Sequence, residues 1–220
     1  MIDLNKLKEP LDIEDIDFRI QSINKGGYAT ILAYKDARVD MRRLDLACGP
    51  ENWQRDHKEL KGNIYCGVGI KFENEWVWKW DCGAESYSDK EKGESSDSFK
   101  RACFNWGIGI ELYDYPVIRV ELNKDEFELY KTKDKYGKEI QKARQTWNLK
   151  LKEWEWSVFF EDNVLTFLNA FNKKGIIRYL YAIDLKSLEK VWDLYEEKQG
   201  NDSFKNAIKY LKKELTKNVE

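Results

Sequence analysis

The pattern that most constrains this chain is a pair of short period-two runs separated by two residues. In Ile64-Tyr65-Cys66-Gly67-Val68-Gly69-Ile70-Lys71-Phe72 every even position is apolar, while the odd positions carry Tyr65, two glycines and Lys71. Such alternation describes a strand with one face on a core. The glycines leave the other face bare, open to close approach by another backbone. After Glu73-Asn74 comes Glu75-Trp76-Val77-Trp78-Lys79-Trp80-Asp81, in which three Trp share one face and Val77 and Lys79 the other. Two alternating runs joined this way read as an antiparallel hairpin.

Helical periodicity brackets the hairpin. Asp36 is placed to cap a helix running to Cys48, with Ala37, Met41, Leu44 and Cys48 as its apolar stripe and Gly49-Pro50 as its stop. Downstream, a polar loop is expected over Ser86 to Glu94. Ser95 or Ser96 then caps a helix whose core stripe is Phe99, Ala102, Cys103 and Trp106, and Gly107 ends it. A strand-like run, Tyr28 to Tyr34, precedes both helices. Together these predict an α+β fold, an antiparallel sheet packed on a central helix. We expect residues 1–20 to form an arm, 21–118 the core and 119–220 an extension. In that extension a second hairpin turns at Asn172-Lys173-Lys174-Gly175. Two amphipathic helices follow, lined by Leu185, Leu188, Trp192 and Tyr195 and by Phe204, Ala207, Ile208, Leu211 and Leu215.

Composition narrows function mainly by exclusion. The net charge of −2 gives no support for a polyanionic partner, so any such site must be a local patch. The N-terminus lacks the apolar run of a signal peptide and no stretch reaches the length of a membrane span, so a cytoplasmic location is expected. Cys48, Cys66, Cys82 and Cys103 show no metal-knuckle spacing and read as reduced thiols. No phosphate-cradling loop is present, so no nucleotide cofactor is expected. His57, in the charged stretch Arg55 to Glu59, reads as a surface residue.

The outer face of the helix through Phe99 is the informative patch. Relative to Phe99, Lys100 lies at about 100°, Phe104 at about 140° and Arg101 at about 200°. Cations interleaved with a ring suit single-stranded nucleic acid, since cations neutralise phosphates and a ring stacks on bases. The same arrangement also describes a solvated basic face with Phe104 packed on a neighbouring element. Residues 131–152 hold eight Lys/Arg against two Asp/Glu and read equally as a phosphate-tracking arm or a solvated hairpin.

The run Ser95-Ser96-Asp97-Ser98-Phe99-Lys100-Arg101-Ala102-Cys103-Phe104-Asn105-Trp106-Gly107 resembles the helix signature of the Rad fifty-two and phage Sak group of single-strand annealing proteins. The upstream block Ala33-Tyr34-Lys35-Asp36-Ala37-Arg38-Val39, then Cys48-Gly49-Pro50-Glu51-Asn52-Trp53, is similar to that group's first helix and its ending. The resemblance covers about residues 28–115. It implies a β-β-β-α core that assembles into rings or helical arrays and anneals single-stranded DNA without ATP, in recombination and repair within a bacterial or phage-infected cell. It further implies DNA contacts by Arg38, Lys100 and Arg101, with Lys92 in the basic loop before the helix and Lys71 shaping the groove. Phe104 stands where eukaryotic members carry a further basic residue, so stacking would replace a phosphate contact there. Self-association and an interaction with a single-strand-binding protein are also implied.

Two other readings stay open on the residues alone. Glu59-Leu60-Lys61 has the acidic-x-Lys form of metal-dependent nucleases. The aromatic surface would equally suit a ring-forming scaffold with little affinity for DNA.

Overall fold

A computed structural model describes residues 2–84, 90–192 and 200–217, apart from the side chains of 90–92. The fold is α+β, and contacts divide it into two units: residues 1–17 with 35–113, and residues 18–34 with 114–220.

The first unit holds a short helix α1 (Leu4–Lys8), helix α2 (Ala37–Cys48), strands β3 (Trp53–Leu60), β4 (Asn63–Phe72) and β5 (Glu75–Cys82), and helix α3 (Lys90–Phe104). The strands form one antiparallel sheet in the order β3-β4-β5. The expected hairpin is β4–β5, with Phe72 paired to Glu75 across the two-residue turn. Strand β3 is an addition to the expected pattern. Its seven residues after Trp53 are all exposed and charged or polar except Leu60, so no apolar alternation marks it. Lys61 and Gly62, with φ of 55° and 78°, supply the left-handed pair of a two-residue hairpin turn between β3 and β4.

One face of this sheet packs on α3. Cys66, Val68 and Ile70 are fully buried against Phe99, Ala102, Cys103 and Trp106, with Leu44 and Cys48 of α2 and Leu7 of α1 completing the cluster. The indole N–H of Trp106 donates to the Val68 carbonyl at 2.9 Å, which satisfies the one polar atom of that ring. Both expected helix signals for α2 are present. The Asp36 carboxylate accepts from the Arg38 N–H, and Gly49 takes φ 82° past the last turn.

Helix α3 begins earlier than its serines suggest. Residues 90–94 are helical, so Ser95 and Ser96 sit inside the helix rather than capping it; residues 85–89 of the expected loop lie outside the described residues. Glu94 explains the extension, because its buried carboxylate accepts from the Ile64 N–H at 2.6 Å and ties the first turns to β4. The stop is as expected: Gly107 adopts φ 96°, and the Ile108 N–H closes on the Cys103 carbonyl at 3.2 Å.

The N-terminal residues pack within the first unit. Leu7 and Leu11 are buried, Glu111 accepts from the Leu11 N–H, and Arg43 donates to the carbonyls of Lys6, Glu9 and Pro10.

The second unit starts from β1 (Asp17–Ile23) and β2 (Tyr28–Tyr34), which form a sheet with β6 (Ile118–Glu121) in the order β1-β2-β6. Tyr28–Tyr34 therefore pairs outside the helical unit with which its position in the chain grouped it. A hairpin, β7 (Phe127–Lys133) and β8 (Glu139–Gln145), accounts for much of the basic segment. Strands β9 (Glu155–Glu161), β10 (Val164–Phe171) and β11 (Ile177–Ala182) form the third sheet of this unit, with the expected turn joining β10 to β11. Helices α4 (Leu185–Trp192) and α5 (Asp202–Lys217) bury Leu188, Val191, Phe204 and Ile208 against Phe167, Phe171 and Ala182. Tyr195 lies outside the described residues. Arg178 and Glu126 form a buried bidentate pair at 2.8 and 2.9 Å, a geometry in which two fixed donors meet two acceptors. Arginine and its two hydrogen bonds hold the Glu126 carboxyl below its usual range despite burial.

Candidate nucleic-acid interface

The surface built by α2 and α3 in the first unit carries the residues singled out from the sequence. Their placement depends on an ion pair buried beneath them. Lys35 and Asp40 are fully buried and in direct contact. The Lys35 ammonium also reaches the Lys100 carbonyl at 3.5 Å and lies 4.2 Å from the centroid of the Phe104 ring. Gly109, at φ 70°, makes room for it: a Cβ there would fall 2.8 Å from the Lys35 side chain. One ammonium thus joins the first turn of α2 to the last turns of α3, the two segments that bear the candidate cations. Burial pushes the Asp40 carboxyl up to about 6, while the Lys35 charge pulls it back.

Arg38 projects from the first turn of α2 with its side chain 83% exposed, 3.8 Å from Asp36. Lys100 is half-buried on α3. Arg101 donates from Nε to Asp81 at 3.2 Å, and its side chain keeps 43% of its surface open. A guanidinium has five N–H donors, so this contact leaves capacity for a phosphate. Asn105 braces the same edge, donating to the Trp80 carbonyl and to Asp81. Phe104 is half-buried and meets Tyr113 edge-on, centroids 4.9 Å apart, with Lys35 beneath it. Its stacking surface is correspondingly reduced, and Tyr113, 63% exposed, is the larger open ring of the pair.

No protein-family model matches the chain. Over 114 residues it is 29% identical to the single-stranded DNA-binding protein DdrA of Deinococcus radiodurans. The match takes in 50% of this chain and 54% of that relative, so the chain spans about half the relative's length.

The remaining candidates fall elsewhere. Lys92 is on the first turn of α3, its side chain outside the described residues. Lys71 is on the face of β4 that alternates away from α3, so the sheet separates it from Lys100 and Arg101. The glycine face of β4 is not open to a foreign backbone, because the indoles of Trp78 and Trp80 cover it. Glu59 is exposed near the end of β3, and among the described residues no group of three or more His, Cys, Asp or Glu is arranged to hold a metal ion. No helix of the described residues is long and apolar enough to cross a membrane.

Sequence reasoning missed Lys35, Asp40 and Tyr113. A faint signal existed for the pair: Asp40 lies beside Val39 on the buried side of α2, where a carboxylate demands a partner. Nothing local marks Tyr113, which meets Phe104 only through the turn at Gly107–Gly109.

Proposed function

We propose that this chain binds single-stranded DNA without sequence preference and without ATP, and that as a homo-oligomer it promotes annealing of complementary strands. The observation that carries the reading is the surface of Arg38, Lys100 and Arg101 on two helices joined through Lys35, in a chain similar to a single-stranded DNA-binding protein. Lys100 and Arg101 on the helix that carries Phe104, with Arg38 on α2, would supply both requirements of a sequence-tolerant strand site, charge for phosphates and π-faces for bases. The β3-β4-β5-α3 order agrees with the β-β-β-α core implied by the annealing-protein resemblance. Annealing and a ring or helical array rest on that resemblance. Holding one strand with its bases accessible lowers the barrier to pairing, and a repeating array extends that to a long strand.

The test pairs a strand-annealing assay, with labelled complementary oligonucleotides and no nucleotide triphosphate, with mass measurement of the particle. The expected result is faster annealing by a particle several times the monomer mass. A monomer that binds the strand without accelerating annealing would leave binding and remove the rest.

A further inference from the structure

The face of the β3–β4–β5 sheet that turns away from α3 carries a row of tryptophans with lysines beside it. Register sets Trp76, Trp78 and Trp80 beside Lys71, Gly69 and Gly67, and Lys58 of β3 beside Tyr65. A Cβ on Gly67 would lie 2.5, 2.6 and 2.7 Å from Cε2, Cζ2 and Cδ2 of Trp80. On Gly69 it would lie 2.8, 2.9 and 3.0 Å from Cε2, Cδ2 and Cζ2 of Trp78. Near-equal distances to atoms about the ring fusion mean that each indole meets its glycine with a face rather than an edge. The rings therefore lie flat on the sheet and turn their second faces away from it.

Neighbouring centroids are 5.7 Å apart for Trp78 and Trp80 and 6.3 Å for Trp76 and Trp78, with planes inclined by 26° and 37°. That pitch approaches the roughly 6.6 Å between same-face positions on a strand, so the indoles form a floor of overlapping rings, Trp78 and Trp80 offset-stacked and Trp76 tilted against Trp78. Cations border it. The Lys58 ammonium stands over the Trp80 ring, 4.3 Å from its centroid, so the outward face of that indole holds a cation, and the Lys58 side chain is 64% exposed. Lys71 flanks Trp76, which is itself 37% exposed. The acidic residue on this face is Asp56, 3.7 Å from Lys58.

We propose that this tryptophan floor stacks unpaired bases of single-stranded DNA while Lys58 and Lys71 meet the phosphates, a second contact surface across the sheet from Lys100 and Arg101. The proposal rests on the reading of the chain as a single-strand binder. A π-face accepts any base, which fits recognition without sequence preference. The floor's pitch is nearly twice the about 3.4 Å step of a duplex strand. One base each on Trp76 and Trp78 therefore suits a strand whose bases are drawn apart and excludes a stacked duplex. Gly67 and Gly69 are explained by the same function, because any larger residue would lift the rings off the sheet.

The test photocrosslinks native protein to a single-stranded oligonucleotide bearing 5-iodouracil and maps the adducts by mass spectrometry. Adducts within Glu75–Cys82 are expected. Trp76→Ala should weaken binding about tenfold, the loss of one stacked base, with the salt dependence unchanged. An abasic strand of equal length should bind the native protein and the variant alike. Adducts confined to other segments, with Trp76→Ala binding as the native protein does, would overturn the floor and leave single-strand binding intact. A lower particle mass for Trp76→Ala without DNA would assign this face to a second copy and also overturn it. Native protein that retains no strand at low salt would remove the binding reading, and the floor with it.

Discussion

At the scale of single residues, the Lys35–Asp40 pair decides whether the candidate surface exists as a surface. A buried pair is costly to desolvate, and removing one partner strands the other charge. Lys35→Met should therefore destabilise the chain by about 3–5 kcal/mol in urea unfolding. The double change Lys35→Met with Asp40→Leu should recover most of that loss, since matched apolar groups need no partner. Asp40 also imposes a pH dependence. Its carboxyl sits at about 6 in the native state against a usual value of 3.8. Between those values the native state keeps a proton that the unfolded chain has released, so this group makes stability fall as pH rises from 3.8 to about 6. Unfolding of Asp40→Asn across that window should show a flatter profile than the native chain. An unchanged slope would mean that Asp40 is already ionised throughout.

At the scale of elements, the sheet and α3 show what a residue pattern can and cannot reveal. The β4–β5 hairpin, the cap of α2 and the Gly107 stop of α3 were legible because period two, an Asp before a helix and a glycine at positive φ are local requirements. Strand β3 was not, since its residues after Trp53 are exposed, and the rings that Arg55 and Lys58 lie over, Phe99 and Trp80, are distant in sequence. The early start of α3 was hidden for a similar reason: Glu94 is anchored by the Ile64 N–H, thirty residues distant in sequence. Of the candidate site, Arg38, Lys100 and Arg101 were readable as outward-facing cations. The partners that hold them, Asp81 and the Lys35 ammonium, come from elsewhere in the unit. The glycines of β4 were read as an open face, whereas Trp78 and Trp80 fill it. Gly67→Ala should thus cost about 1–3 kcal/mol by overpacking. Raised tryptophan exposure, read as a red shift in emission, should accompany the lowered melting temperature. A variant as stable as the native protein, with unshifted emission, would show that the Trp80 ring does not rest on Gly67.

At the scale of the whole molecule, the net charge of −2 sets the terms of association. Long-range attraction to a polyanion is absent, so affinity must come from short-range cations and rings, and it must weaken steeply with salt. The second unit adds candidates of its own, among them the β7–β8 hairpin with Tyr136 82% exposed at its turn and the lysines along α5. Two of the hairpin's cations are internally matched, Lys131 by Glu139 and Arg144 by Glu128. The α2–α3 surface, which carries the residues of the annealing-protein resemblance, is the one on which binding should chiefly depend. The direct measurement is the affinity of a labelled single strand as a function of salt, for the native protein and for Lys100→Ala with Arg101→Ala. The native chain should bind with a steep negative slope. The double variant should bind far more weakly, with the slope reduced by about 1.4, the release of two phosphate contacts, and with fold and particle mass unchanged. Equal affinity and equal slope for the two proteins would contradict the assignment of this surface to DNA.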